Sequence, residues 1–181
     1  GEDSPFSAAS IYLTFEALKE LYRPGEETGW RNFYSSKKIA WKTGTSFGFR
    51  DGWAVGVNPD YAVGVWVGNA DGEGRPGLTG TETAAPIMFD VFSSLPGQRW
   101  FEKPLAEMDQ VEVCSESGQR VTDVCLNTKK IWIARGGLRS EACSFHQIVH
   151  LTPDKRFRVH ASCEQLQNIV SESWFVLPPA Q

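Results

Sequence analysis

Long apolar runs are missing from this 181-residue chain: none approaches the about 18 consecutive apolar residues that cross a bilayer. No basic segment followed by an apolar one opens it either, so an export signal or membrane anchor is expected outside the sequence. Basic charge is in deficit, with 18 Lys and Arg against 22 Asp and Glu, a net charge of -4 and a pI near 5.4. That excludes a phosphate-neutralising stripe as the main surface, and no nucleic-acid partner is expected. The local set Lys129, Lys130, Arg135 and Arg139 reads as a solvated face. Cysteine is absent until Cys114, after which come Cys125, Cys143 and Cys163. An even count confined to one region predicts two disulfides and an oxidising compartment, periplasmic or extracellular. Histidine is scarce, and His146, His150 and His160 have no serine or cysteine partner fixed by spacing, so half-buried strand positions are expected for them. No cofactor is expected. The start at Gly1 and the stop just after Pro178-Pro179 read as cut edges rather than natural ends.

What is present is globular: 41% hydrophobic and 22% charged residues. Ser4-Pro5 offers a cap and a first-turn proline, and Ile11, Phe15, Leu18 and Tyr22 recur at helical spacing until Arg23-Pro24-Gly25. Residues 26 to 36 read as a loop. From Lys38 the period changes to that of strands, at about 38 to 46, 50 to 57 and 61 to 69, with Asn58-Pro59-Asp60 as a turn. The product is an antiparallel meander. Trp53, Val55 and Val57 share one face and Val63, Val65 and Val67 another, with Gly56, Gly64 and Gly68 suited to close helix packing. Residues 70 to 80 form a glycine-rich loop, and Thr81 to Leu95 reads as a helix with Pro86 in its first turn.

Beyond a linker at 99–109 the chain becomes a series of short strand-like runs: Val111 to Cys114, Arg120 to Cys125, Lys130 to Ala134, Phe145 to Leu151, Phe157 to Ala161 and Ser173 to Leu177. The predicted fold class is α+β. An antiparallel meander with flanking helices over 1–98 is followed by a small all-β, sandwich-like domain over 110–181.

Three motif matches mislead. Gly72-Glu73-Gly74-Arg75-Pro76-Gly77 fits a dinucleotide fingerprint, but its neighbouring strands form a hairpin rather than a βαβ unit, and Pro76 removes an N–H. A mobile loop is the better reading. Ser35 and Lys38 fit S-x-x-K, yet in extended chain they point to opposite faces. Cys143-x-x-His146 and His160-x-x-Cys163 could offer zinc a Cys2His2 set. Were these segments paired strands around Pro153-Asp154, each cysteine would face away from its histidine while Cys143 and Cys163 fell nearly opposite. A Cys143–Cys163 disulfide is therefore favoured over a metal, leaving Cys114 with Cys125, although four cysteines allow three connectivities.

The stretch Ala40-Trp41-Lys42-Thr43-Gly44-Thr45-Ser46 stands apart, since an apolar strand carries a cation, hydroxyls and a glycine in fixed order. Alternation puts Lys42, Gly44 and Ser46 on one side and Thr43 and Thr45 on the other, so side chains must act together with backbone N–H groups. A ligand with a carboxylate and a carbonyl suits it.

Lys42-Thr43-Gly44-Thr45 resembles the third active-site motif of penicillin-binding proteins and related serine β-lactamases. Phe49 to Gly56, Tyr61 to Asn69 and Thr83-Ala84-Ala85-Pro86-Ile87 resemble the end of a transpeptidase domain in order and spacing. Val113-Cys114-Ser115-Glu116-Ser117-Gly118, Ala142-Cys143-Ser144-Phe145-His146 and Ser173 to Pro179 resemble the C-terminal module of bifunctional, class A penicillin-binding proteins of the 1C type.

The resemblance implies a parent that polymerises glycan and cross-links stem peptides through a serine acyl-enzyme, in the periplasm and anchored to the inner membrane. It implies that Lys42, Thr43, Gly44 and Thr45 bind the stem peptide or a β-lactam, with the Thr45 N–H as an oxyanion donor. The helical S-x-x-K and the S-x-N of that family are absent, so this chain alone is expected not to acylate. Surface normally covered by the missing lobe would be exposed, favouring dimerisation or loose packing of the first half. The alternative reading is a binding module, in which the all-β domain recognises glycan or a cell-wall protein.

Overall fold

The computed structural model describes residues 4–23 and 37–177. Two compact units divide the chain, Gly1–Glu107 and Met108–Gln181.

The first unit begins with helix α1, Ala8–Lys19. Its cap is Ser7 rather than Ser4: the Ser7 hydroxyl accepts the Ser10 N–H at 3.1 Å, which satisfies one of the orphan amides of the first turn. Tyr22, expected on the apolar stripe, is exposed. Three strands follow, β1 Ala40–Thr45, β2 Asp51–Val57 and β3 Ala62–Gly68, in one antiparallel sheet of order β1-β2-β3. The expected meander is present. Asn58 makes the second turn by accepting the Asp60 and Tyr61 N–H groups on its side-chain carbonyl, at 3.0 and 2.7 Å.

One turn of π-helix, Gly80–Ala84, leads into helix α2, Ala85–Ser94. Pro86 accounts for the widened turn, since its ring crowds the carbonyl four residues back and it has no N–H to give. Ile39, Trp41, Ala54, Ala84, Ala85, Met88, Phe89 and Phe92 form the core between this helix and one sheet face. Gly56 makes the close approach possible: a Cβ there would lie 2.7 Å from Phe92 Cε2 and 2.8 Å from Met88 Sδ. Gly64 does not share that role, because it lies on the opposite face with nothing near it. Lys37 donates to the Phe92 and Leu95 carbonyls, which places a cation at the C-terminus of α2.

The glycine-rich loop is tied down, with the Arg75 N–H donating to the Phe49 carbonyl at 3.1 Å. The stretch read as a linker also packs on α1. Phe101 meets Phe15 with ring centroids 4.8 Å apart, and Glu107 accepts the Ala9 N–H at 3.2 Å.

In the second unit β4, Met108–Cys114, pairs with β5, Thr128–Ala134, and β6, His146–Leu151, pairs with β7, Val170–Phe175. Two of the expected strands are not formed. Residues 120–125 make single bridges at Arg120 and then a turn, and residues 157–161 make one bridge, Leu151 to Arg158. The ladder partner of β6 is thus β7, and the segment just past Pro153-Asp154 adds only the Leu151–Arg158 bridge, with the Val159 N–H donating to the His150 carbonyl at 2.9 Å.

Candidate functional site

Strand β1 lies at the edge of its sheet among the described residues. Trp41, Thr43 and Thr45 are opposite Gly56, Ala54 and Gly52, on the face that carries α2, whereas Lys42 and Gly44 are opposite Val55 and Trp53 on the other face. Trp41 anchors the strand by an edge-on contact with Phe89, with centroids 5.0 Å apart. The Ser46 N–H donates to the Asp51 carbonyl at 2.9 Å. Antiparallel alternation from that bond sends the Lys42 and Gly44 amides to β2 and the Thr43 and Thr45 amides outward, to the open edge.

The start of the helical segment supports the same strand. Gly80 donates its N–H to the Thr45 hydroxyl oxygen at 3.0 Å, which leaves the Thr45 O–H free to donate in turn. A Cβ at Gly80 would fall 2.5 Å from the Gly44 carbonyl oxygen, so only glycine allows this seating. Thr43 and Thr81 share a hydroxyl contact of 3.2 Å. Lys42, Gly44 and Thr45 are exposed, and the Lys42 ammonium donates to the Thr43 carbonyl at 2.5 Å. The four residues singled out from sequence thus form a continuous, accessible edge with a cation, two hydroxyls and two outward amides. Lys38 of the S-x-x-K match leads into β1, and its Ser35 lies outside the described residues.

The cysteines are arranged differently from expectation. All four are free thiols, so neither Cys114–Cys125 nor Cys143–Cys163 is a disulfide. Cys143 precedes β6 in irregular chain, where strand alternation does not apply, and its Sγ lies 3.5 Å from His146 Nδ1. Cys114, at the end of β4, brings its Sγ to 3.6 Å from the same nitrogen. The ligand atoms of Cys114, Cys125, Cys143 and His146 all lie within 4.8 Å of one another. Cys163 stands outside this group, exposed, with its thiol on the His160 carbonyl at 3.2 Å. His146 is buried rather than half-buried, while His150 and His160 are exposed beside Ser171 and Ser162.

Ser117 serves two of the thiols, its N–H reaching Cys114 Sγ at 3.5 Å and its hydroxyl Cys143 Sγ at 3.2 Å. Burial pushes the Cys143 thiol up, but the hydrogen bonds from Ser117, from the His146 side chain and from the His146 and Phe145 amides outweigh it, bringing it down to about 6. Burial likewise opposes a lowering of Cys114 that the Ser117 and Glu116 hydrogen bonds bring about. His146 is raised, first by its contact with Cys143 and against desolvation, with Cys114 and Glu116 adding to the rise. The signal for this group in the sequence was Cys143-x-x-His146 itself; what spacing could not supply was its partners, since Cys114 arrives from the end of β4 and Cys125 from the turn before β5.

Comparison with known proteins places the chain. No family model matches it. It is 49% identical over 53 residues to penicillin-binding protein 1C of Escherichia coli, a match covering 29% of this chain and 7% of that protein. It is 24% identical over 166 residues to penicillin-binding protein 1A of Clostridium perfringens, covering 84% of this chain and 19% of the relative. A crystal structure of penicillin-binding protein 1A from Haemophilus influenzae aligns with a TM-score of 0.48 at 17% identity, over 75% of this chain and 20% of that one. The chain thus spans less than a fifth of the length of these two curated relatives. It is similar, over a part of their length, to the penicillin-binding proteins 1A and 1C.

Proposed function

We propose that this chain carries one wall of a peptidoglycan D,D-transpeptidase site, within a longer periplasmic, inner-membrane-anchored enzyme that also polymerises glycan. The observation that carries the reading is the open edge of β1, where the Thr45 amide points outward beside exposed Lys42 and Gly44. Lys42 supplies positive potential, the Thr43 and Thr45 hydroxyls meet the carboxylate of a stem peptide or β-lactam, and Gly44 lets the ligand backbone lie close along the strand. The Thr45 N–H stabilises the oxyanion as the tetrahedral intermediate forms. The nucleophilic serine and its base come from outside this chain, so residues 1–98 act as part of a transpeptidase domain and residues 110–181 as its accessory domain.

The isolated chain is expected to form no covalent adduct with a labelled penicillin at pH 7, and a stoichiometric serine adduct would overturn the division of roles. In the longer enzyme, Thr45→Pro removes the outward N–H without touching a ladder bond. Penicillin acylation is expected to slow by about 10²–10³-fold, or about 3 kcal/mol. An unchanged acylation rate sinks the oxyanion assignment.

A second reading rests on the outer sheet face, where Trp53, Val55 and Trp66 are 48%, 48% and 44% exposed. It is a surface for the rest of the transpeptidase lobe, for a second copy, or for a cell-wall partner if the chain is instead a binding module. Retention of the purified chain on isolated sacculi would favour the binding module; sedimentation as a monomer would exclude the homodimer.

A further inference from the structure

We propose that Cys114, Cys125, Cys143 and His146 form a closed, structural zinc site that joins the two ladders of the second unit. Tetrahedral zinc, with Zn–S about 2.3 Å and Zn–N about 2.0–2.1 Å, holds a sulfur and a nitrogen about 3.6 Å apart. The two sulfur–nitrogen separations at His146 Nδ1 are 3.6 Å from Cys114 and 3.5 Å from Cys143. A disulfide would instead need two of these sulfurs at about 2.05 Å, and all four thiols are free.

The surroundings fit the same ion. His146 Nε2 lies 3.0 Å from a Glu116 carboxylate oxygen. A proton held there by Glu116 leaves Nδ1 with its lone pair directed at the two sulfurs, the arrangement by which a carboxylate orients a metal-binding imidazole. The histidine side chain is 1% exposed. Hydrogen bonds reach each sulfur, from Ser117 to Cys114 and Cys143 and from the Thr122 N–H to Cys125 at 3.4 Å. These donors suit thiolates, the form that binds metal. Three sulfurs and one nitrogen fill a tetrahedron and leave no position for water or substrate, so the site holds structure rather than performing catalysis.

The fold explains the need. Cys114 ends β4, Cys125 lies in the turn before β5, and Cys143 with His146 opens β6. One ion therefore ties together segments that share no continuous sheet. It would replace the cross-links expected of the two disulfides, and Cys163 takes no part.

The test uses the whole 181-residue chain, purified by gel filtration in the presence of a weak chelator, with metal content and intact mass measured on one sample. One zinc per chain with every thiol reduced is the expected result. Trace metal only, an equimolar metal other than zinc, or a mass short of two hydrogens for each thiol pair would overturn the proposal. Replacement by cobalt is expected to produce the strong sulfur-to-metal and visible bands of a tetrahedral thiolate site, and an octahedral spectrum would count against it. Cys163→Ser should keep the metal and Cys143→Ser should lose it. His146→Cys should retain it with the cobalt spectrum of four thiolates, a change no merely structural role for His146 would yield. Glu116→Gln is expected to weaken zinc binding by about 10–100-fold; unchanged affinity removes Glu116 from the site. Should Cys143→Ser fail to fold, the cobalt spectrum of the unaltered chain decides.

Discussion

The two units solve the same problem with different materials. In the first, Trp41, Met88, Phe89 and Phe92 are buried between a helix and a sheet, and apolar area removed from water provides the stabilisation. In the second, the buried residues described are Met108, Val113, Cys114, Cys143, Val149, Leu151 and His146, and three of these seven belong to the sulfur–imidazole cluster. A small unit with so little aliphatic core needs a cross-link or a metal to hold one structure. Where the first unit has Phe92 packed over Gly56, the second has a polar knot of thiols and imidazole bonded to Ser117, Thr122 and Glu116.

Metal removal breaks that comparison most sharply. Stripping zinc with a strong chelator under reducing conditions is expected to unfold the second unit and leave the first intact, since structural zinc is worth on the order of 10 kcal/mol in small domains. Hydrogen exchange resolved along the chain would show protection lost in β4 to β7 alone. Retained protection there would mean that the aliphatic residues suffice.

The converse perturbation acts on the first unit. Gly56→Ala forces a methyl into Phe92 and Met88 and should cost about 1–3 kcal/mol by overpacking. Gly64→Ala, with nothing within 4 Å, should leave stability nearly unchanged or slightly raised. Thermal melts of the two variants, followed by tryptophan fluorescence, separate packing from glycine's backbone entropy. Equal effects would mean that α2 does not press on the sheet at Gly56.

The smallest effect is expected at Ser7. Ser7→Ala removes the acceptor for the Ser10 amide and should lower stability of the first unit by about 1 kcal/mol. Ser4→Ala should do nothing comparable, because Ser7 is the residue that caps α1.

Much of the first unit was legible because its signals are local. Val63, Val65 and Val67 alternate with residues of the other face and sit where period two puts them, half-buried toward α2. The K-T-G-T edge was legible for the same reason. Its register with β2, and hence which amides point outward, came only with the pairing of Ser46 and Asp51. The Ser7 cap was missed because Ser4-Pro5 presented an equally good local pattern three residues earlier.

The second unit was misread at the strands expected over 120–125 and 157–161, at both disulfides and at the partner of β6. Proximity in sequence favours a full hairpin across Pro153-Asp154, of which only the Leu151–Arg158 bridge and its flanking hydrogen bonds form. Cys143 meets His146 because it precedes β6 in irregular chain, where strand alternation does not apply. The chain instead pairs His146 with Phe175 and packs the imidazole edge-on against that ring, with centroids 5.2 Å apart. By itself the sequence determined the strand periods, the exposed cation and hydroxyls of Lys42 to Thr45, and the confinement of cysteine to one region. Tertiary structure alone decided which thiols meet, because Cys114, Cys125 and Cys143 lie on separate segments and no local period links them. Contacts of that kind depend on which loops close, and loop closure is set by the energy of the whole unit rather than by neighbouring residues.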